Sequence, residues 1–469
     1  MAQENSLKFG TSGLRGLAVD LEGQAARQYC AAFLRHAQKV NETPISRVFL
    51  GRDFRPSSPQ ITHDCAVAIA AAGLEPVDCG ALPTPALALH ALANGGAAIM
   101  ITGSHIPADR NGLKFYLPSG EISKSDEAGV VAALDSADIA DRDIIPADEA
   151  DLAASRYLER FATLLPANAL AGKRIGVFEH STVARDLIGQ VLRRFGAETI
   201  SLGRIDGFVP VDTEAFADTV FAPIPGWIKQ HGLDAVVSAD GDGDRPLLVD
   251  EMGRFIRGDT LGLLAARHLG ADSVVTPVTS NSGIERTGYF GQVVRTRVGS
   301  PYVVEAMGGA TGAVIGFEAN GGTFVGGGVS ANGRPLEPLV TRDAILPILC
   351  GLGESVRVGR PLSKVVSDLP LQHALADRLQ NIASERSAAF LRRLREDGDY
   401  AAQLFGSLGI SRRADIDGLQ FWTQNGDMVH FRASGNAPEL RCYVEAATPE
   451  MAGELLDWGL RAAASATAE

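Results

Sequence analysis

The sequence predicts an α/β protein with mixed or largely parallel sheets, followed by a smaller C-terminal α+β module. Three observations lead there. Short apolar runs alternate with longer amphipathic segments as far as residue 367. Three strand-like runs then crowd together near the C-terminal end. A capped helical segment follows them.

Taken in order, strands are expected at 47–50, 97–102, 174–178, 235–238, 274–277 and 313–316. Each is a short apolar run of strand length. Helical patterns lie between them, for example at 24–40, 59–72 and 187–195. The C-terminal runs at 419–423, 428–431 and 441–446 are close enough to pair antiparallel. The last helix starts near Thr448, with that threonine as N-cap and Pro449 at the first helical position. Boundaries are expected in the acidic stretch 135–151, near Gly258 and just after the Pro361 segment. They divide the chain into 1–150, 151–257, 258–367 and 368–469. The sequence shows no short-period repeat and no low-complexity tract.

A length of 469 residues suggests about three domains, with two or four compatible. Hydrophobic residues make up 45% and charged residues 21%, an ordinary globular mixture. The net charge of −13 argues against general affinity for nucleic acid or anionic membranes, both of which would repel the surface. It leaves room for a local basic cleft that gathers phosphate. Cys30, Cys65, Cys79, Cys350 and Cys442 are scattered and odd in number, with no C-x-x-C pair. Reduced thiols fit better than a disulfide framework or a cysteine zinc site. The polar N-terminus lacks a signal-peptide core, and no apolar run reaches membrane-span length. A soluble cytoplasmic protein is expected, as a monomer or homo-oligomer.

The first chemical motif is Thr102-Gly-Ser-His-Ile-Pro-Ala-Asp-Arg-Asn-Gly-Leu-Lys114, which follows an apolar strand. A Gly before the Ser and a Pro soon after it suggest a turn that exposes a hydroxyl at a strand end, where α/β sheets place ligands. The motif offers a nucleophile (Ser104), an imidazole (His105) and an ammonium (Lys114) within one loop. An ordinary polar turn is the competing reading. The hydrolase elbow G-x-S-x-G is absent.

The second motif is Asp240-Gly-Asp-Gly-Asp-Arg245. Carboxylates at i, i+2 and i+4 fall on one side of an extended chain, and the glycines between them let the backbone turn tightly. Three oxygen donors without His or Cys favour a hard cation, and so few protein ligands suit Mg²⁺ best. Three like charges are costly unless something neutralises them, which weighs against a simple turn. Glu251 would complete an EF-hand register, but Arg245 stands where that loop needs Gly, and the flanks read as strands.

The third motif, Arg432-Ala-Ser-Gly-Asn-Ala-Pro-Glu-Leu-Arg441, joins two terminal strands. Ser434, Gly435 and Asn436 can present N–H groups to an anion, and Arg432 adds a planar fork. A plain hairpin turn competes here. A fourth loop, Gly316-Phe-Glu-Ala-Asn-Gly-Gly322, offers Glu318 and Asn320 to sugar hydroxyls, against the reading of a polar glycine loop. Neither G-x-x-x-x-G-K-[ST], G-x-G-x-x-G nor H-E-x-x-H occurs, so ATP-driven transfer, nicotinamide chemistry and zinc hydrolysis lose their usual support.

These loops, in this order, resemble those of the α-D-phosphohexomutases, the family of phosphomannomutases and phosphoglucomutases. The resemblance runs from Phe9-Gly-Thr-Ser-Gly-Leu-Arg15-Gly to Arg441, nearly the whole chain. It implies three similar α/β domains and a smaller fourth one around a central cleft, with one loop from each. By that resemblance Ser104 is the phosphorylated serine. Asp240, Asp242 and Asp244 are magnesium ligands, with Ser104 or its phosphate completing the site. Glu318 and Asn320 recognise the sugar. Arg432, Ser434, Gly435 and Asn436 hold the phosphate that is not transferred. Arg15, His105, Lys114 and Arg245 stabilise charge or move protons.

The sequence departs from the family pattern at three places. Ile106 replaces an Asn after Ser-His, Gly322 replaces a His found in some members, and Asn436-Ala437 varies a position often held by Thr. With no His at 322, Lys114 or His105 is the expected base. The resemblance implies a reversible hexose 1-phosphate to 6-phosphate isomerisation through phospho-Ser104 and a hexose 1,6-bisphosphate. Mannose is the first choice of sugar and glucose is close behind; glucosamine is the alternative on the same fold. A phosphosugar-binding protein without turnover is the rival from another class, opposed by the intact serine and aspartates.

Overall fold

A computed structural model describes residues 6–10, 13–216, 219–435 and 438–468. The chain forms four principal sheets in sequence order. In the first, strands Ala97–Ile101, Arg47–Arg52, Glu75–Ala81 and Ala147–Asp148 lie parallel in that spatial order. Antiparallel strands Arg110–Leu117, Leu14–Leu17 and Lys8–Phe9 extend the sheet beyond Ala97–Ile101.

Strand periodicity explains how this sheet is covered. In Ala97–Ile101, residues Ala97, Ile99 and Ile101 enter a core with Phe33 and Ile61. Ala98 and Met100 enter the core on the opposite face, with Leu87 and Val77. Successive side chains of a strand point to opposite faces. A run without polar residues, AAIMI, is therefore what a sheet covered by helices on both sides requires.

The second sheet pairs Glu198–Leu202, Arg174–Phe178 and Ala235–Ala239 in parallel, then adds Pro246–Asp250 antiparallel. The third pairs Gln292–Thr296, Ser273–Pro277 and Val314–Phe317 in parallel, then adds Thr323–Val325 and Leu339–Asp343 antiparallel. One continuous apolar core runs through all three sheets, from Phe49 through Val177 to Val274 and Ile348. The fourth sheet is wholly antiparallel, in the order His373–Gln380, Glu439–Ala446, Met428–Ala433, Leu419–Trp422 and Arg412–Ala414. It has its own core, with Phe390, Phe421, Phe431 and Cys442 packed under the helix Pro449–Ala468.

The first three sheets share a device. In each, a parallel strand ends in a loop, and the next strand returns antiparallel beside it. The pairs are Ala97–Ile101 with Arg110–Leu117, Ala235–Ala239 with Pro246–Asp250, and Val314–Phe317 with Thr323–Val325. The serine, aspartate and glutamate motifs occupy these three loops.

Two expectations are corrected. Lys114 does not belong to the serine loop; it lies within the strand Arg110–Leu117. The aspartates lie not along an extended chain but on the tight turn that the glycines between them allow. Residues 240–245 make a tight turn in which Gly243 N donates to Asp240 O at 3.1 Å and Asp240 N donates to Arg245 O at 3.0 Å. Gly243 adopts φ +69°, a conformation that favours glycine. All five cysteines are free and buried. Among the described residues no helix is long and apolar enough to cross a membrane.

Candidate active site

The Ser104 turn is built from below. Ser104 has φ +52°, uncommon for a residue with a side chain, so its surroundings must hold it there. Its N–H donates to Thr102 Oγ1 at 2.7 Å, and that hydroxyl donates to Asp53 Oδ2 at 2.8 Å. The chief support is Arg55, whose side chain is fully buried. Nε donates to Asp53 Oδ2 at 3.1 Å. Nη1 donates to the carbonyls of Pro107 and Arg110, and Nη2 to those of Ser104 and Ile106, at 2.6–3.0 Å. All five donors of a guanidinium are thereby spent on one loop and its anchor. Gly103 leaves room for this, because a Cβ there would stand 2.5 Å from Arg55 Cζ.

The aspartate turn meets the serine turn directly. Ser104 Oγ donates to Asp240 Oδ2 at 2.6 Å. His105 Nδ1 lies 3.2 Å from the same Ser104 Oγ, within hydrogen-bonding reach. Asp240 Oδ1 accepts the N–H groups of Asp244 and Arg245, both at 3.1 Å. Asp242 Oδ2 accepts from Thr84 Oγ1 at 2.5 Å and from Lys114 Nζ at 2.6 Å. Asp244 Oδ2 accepts from Lys114 Nζ at 2.7 Å and Arg342 Nε at 3.0 Å.

The three carboxylates offer ligand oxygens within 4.8 Å of one another, and all three are buried. Asp242 Oδ1 and Asp244 Oδ1 are buried with no hydrogen-bond partner. Leaving such oxygens unpaired is costly unless a cation takes them. An all-oxygen donor set with two orphaned atoms fits a hard divalent ion. The cluster can hold a metal. Glu251, the EF-hand candidate, instead accepts from Ser363 N at 3.2 Å and takes no part.

The cations shape protonation. Burial raises the Asp240 carboxyl well above its usual range, and Asp242 and Asp244 add to the effect. Burial works to raise Asp244 too, but Arg342, Lys114 and Arg245 outweigh it and hold that carboxyl low. Burial works to lower Lys114, yet Asp242 and Asp244 keep its ammonium above the usual range. Arg245, followed by burial and Arg15, depresses His105 far below the ordinary histidine range, so its imidazole is neutral. Burial, then Arg245, pushes Arg15 down to about 10, which leaves it charged at neutral pH.

A cleft of about 690 Å³ brings the motifs together. Its walls include Arg15, His105, Arg245, Glu318, Asn320, Arg432, Ser434 and Gly435. Glu318 and Asn320 sit on a tight turn, in which Asn320 Oδ1 accepts from Gly322 N at 3.0 Å. Across the cleft, Arg432 Nε donates to Asp417 Oδ2 at 2.8 Å. Asn436 lies outside the described residues, as do Thr11 and Ser12.

Sequence reasoning missed Asp53, Arg55, Thr84 and Arg342, which set the two central turns. It also missed Arg297, Arg378 and Arg441, which line the cleft beside Arg432. The segment Gly51-Arg-Asp-Phe-Arg55 reads as a polar turn, and nothing local announces that its arginine serves carbonyls about fifty residues on.

Known proteins agree with this architecture. The family model described as phosphoglucomutase/phosphomannomutase, alpha/beta/alpha domain I, matches residues 6–140. The model for alpha/beta/alpha domain III of the same family matches residues 257–372. A phosphomannomutase from Sinorhizobium fredii is 47% identical, covering 97% of this chain and 98% of that one. A phosphomannomutase from Salmonella muenchen is 40% identical over 97% of this chain and 95% of its own. The fold also matches a crystal structure of a phosphoglucomutase/phosphomannomutase family protein from Burkholderia thailandensis. Its TM-score is 0.78 at 21% identity, covering 99% of this chain and 98% of that one.

Fold and relatives together define an isomerase of phosphosugars, a phosphomutase. The chain belongs to the phosphoglucomutase/phosphomannomutase family, the α-D-phosphohexomutases, and interconverts hexose phosphates.

Proposed function

We propose that the chain converts hexose 1-phosphate to hexose 6-phosphate and back through a phosphorylated Ser104, with mannose as the preferred hexose. The observation that carries this reading is the 2.6 Å contact of Ser104 Oγ with Asp240, beside two buried carboxylate oxygens that accept no hydrogen bond. The choice of mannose is supported by the two full-length relatives named phosphomannomutase.

Mg²⁺ is the ion of choice for the site, and Asp240, Asp242, Asp244 and the Ser104 side chain would hold it. When bound, it supplies positive charge to the oxygens of the moving phosphoryl group. The protein's own residues position and balance charge, which is most of what phosphoryl transfer needs. A sugar hydroxyl attacks the phosphorus of phospho-Ser104. The new P–O bond forms as the bond to Ser104 Oγ breaks. The proton lost by the sugar hydroxyl is matched by the one Ser104 regains. Neutral His105 stands at that serine oxygen and takes part in this exchange, while Lys114, Arg15 and Arg245 carry positive charge around it. The product of this half is a hexose 1,6-bisphosphate, which turns over in the cleft and returns its other phosphate to Ser104.

Glu318 and Asn320 address the sugar hydroxyls. Arg432, Ser434, Gly435 and Asn436 grip the distal phosphate in both orientations. Each of the segments 1–150, 151–257, 258–367 and 368–469 is a domain that supplies one of the four loops. Five buried free thiols suit a reducing compartment, and we place the protein in the cytoplasm.

Turnover of mannose, glucose and glucosamine 1-phosphates, each with its bisphosphate activator and Mg²⁺, tests the choice of sugar. Mannose 1-phosphate is expected to give the highest kcat/KM. A higher value with glucosamine 1-phosphate would overturn it.

A further inference from the structure

Gly322 leaves a space, and Arg342 fills it. A Cβ on Gly322 would stand 2.5 Å from Arg342 Cδ, 2.6 Å from Cγ and 2.9 Å from Cβ. A side chain at 322 and the arginine in its present place therefore exclude each other. The stem of Arg342 lies along the glycine backbone, and its head reaches two loops. Nε donates to Asp244 Oδ2 and Nη1 to Glu318 Oε2, both at 3.0 Å. Only 5% of the side chain is exposed, and it forms part of the cleft wall. The two loops also lie close together: a Cβ on Gly321 would stand 2.7 Å from the ring carbon Cγ of Pro246. Arg342 is thus one buried cation shared by the carboxylate that faces the sugar side and a carboxylate of the metal cluster.

We propose that Arg342 is a positioning residue with two opposed effects: it fixes Glu318 for the sugar, and it competes with a bound cation for Asp244. The inference rests on the phosphohexomutase reading of the cleft. A charge-assisted bond from a planar fork fixes the direction of a carboxylate as well as its charge. Without it, Glu318 loses the partner that aims it. Asp244 would then keep Lys114 at Oδ2 and Arg245 beside Oδ1 but lose Arg342, which leaves more negative charge for a divalent ion. One substitution should therefore weaken sugar binding and strengthen metal binding. An arginine that merely held the fold would weaken both.

The test uses Arg342→Gln and Arg342→Lys in the full chain. The readouts are KM and kcat for hexose 1-phosphate, and calorimetric Mg²⁺ affinity of the sugar-free protein. Arg342→Gln is expected to raise KM by about tenfold or more, the scale of a lost bond to a charged group, with a smaller change in kcat. Its Mg²⁺ affinity should rise by roughly threefold. Arg342→Lys should recover part of the KM. An unchanged KM, or Mg²⁺ affinity that is unchanged or weaker, would overturn the proposal. Should Arg342→Gln fail to fold, Gly322→Ala serves, because its methyl group must displace the arginine. It should shift KM and Mg²⁺ affinity in the same opposed directions, and wild-type values for both would overturn the proposal. Absence of hexose-phosphate turnover in the wild-type protein would instead sink the mutase reading itself.

Discussion

Ser104 and Asp240 are 136 residues apart in the chain, yet the serine hydroxyl donates to the aspartate carboxylate at 2.6 Å. The approach depends on Gly241. A Cβ there would stand 2.9 Å from the Ser104 carbonyl oxygen, so a larger residue would push the two turns apart. The pairing puts a strained hydroxyl against the cluster best able to hold a divalent cation.

Arg55 should matter for rate more than for substrate affinity. It reaches four carbonyls of the Ser104 turn and the Asp53 carboxylate. Arg55→Lys keeps the charge but cannot span them. A loosened nucleophile is expected to lower kcat by roughly 10- to 100-fold, with KM for hexose 1-phosphate changed much less. Steady-state kinetics, with the folded fraction measured by circular dichroism because unfolding alone also lowers kcat at constant KM, checks this; an unchanged kcat, or a KM raised as much as kcat falls, would contradict it.

Removing one carboxylate charge should weaken the metal. Asp242→Asn keeps an oxygen for Thr84 Oγ1, now 2.5 Å away, but removes a negative charge beside Lys114. The Mg²⁺ concentration for half-maximal activity should rise by about tenfold or more, with partial recovery at high Mg²⁺. A titration of activity against Mg²⁺ measures it, and an unshifted curve would remove Asp242 from the ligand set.

Acid should act on stability through Glu354, away from the cleft. Its buried carboxylate accepts from Arg357 Nε at 2.7 Å and His268 Nδ1 at 3.1 Å. Burial works to raise this carboxyl, but Arg357 and His268 outweigh it and bring it down to about 2 from 4.5. A folded value below the unfolded one means the stabilisation is complete above pH 4.5 and lost as pH falls toward 2. Arg357 is half exposed, and screening by water trims the effect to roughly 2 kcal/mol. Glu354→Gln should lower Tm at pH 7 and flatten the fall of Tm between pH 4.5 and 2. Scanning calorimetry across that range decides it.

The parts legible in the sequence are those where local pattern and final environment agree. Ala97–Ile101 is apolar throughout because both faces of its sheet are covered, and Gln24–Val40 shows its helix period plainly. Arg110–Leu117 was hidden by Gly112 and Lys114, which interrupt its apolar run. Gly112 is there because a Cβ would stand 2.3 Å from the Leu14 carbonyl oxygen of the neighbouring strand. Lys114 is tolerated because Asp242 and Asp244, some 130 residues on, neutralise it. His373–Gln380 alternates little in burial, and its strand character comes from pairing with Glu439–Ala446.

The site divides in the same way. Ser104, the three aspartates and Glu318 stand out because their motifs are local. Arg55 and Arg342 do not, since each acts on groups that only folding brings near. The strand–loop–returning-strand device repeated in three sheets was equally invisible, because it is a property of pairing rather than of residues.

The central claim is that Ser104 carries the phosphoryl group. Mass spectrometry of the protein after incubation with mannose 1,6-bisphosphate and Mg²⁺, before and after a chase with excess mannose 1-phosphate, measures that. The account predicts one phosphate on the peptide that contains Ser104, returned from the bisphosphate in every turnover and so still present after the chase while mannose 6-phosphate accumulates, and none in Ser104→Ala, which should also lack turnover. A phosphate on another residue, or full turnover by Ser104→Ala, would contradict it.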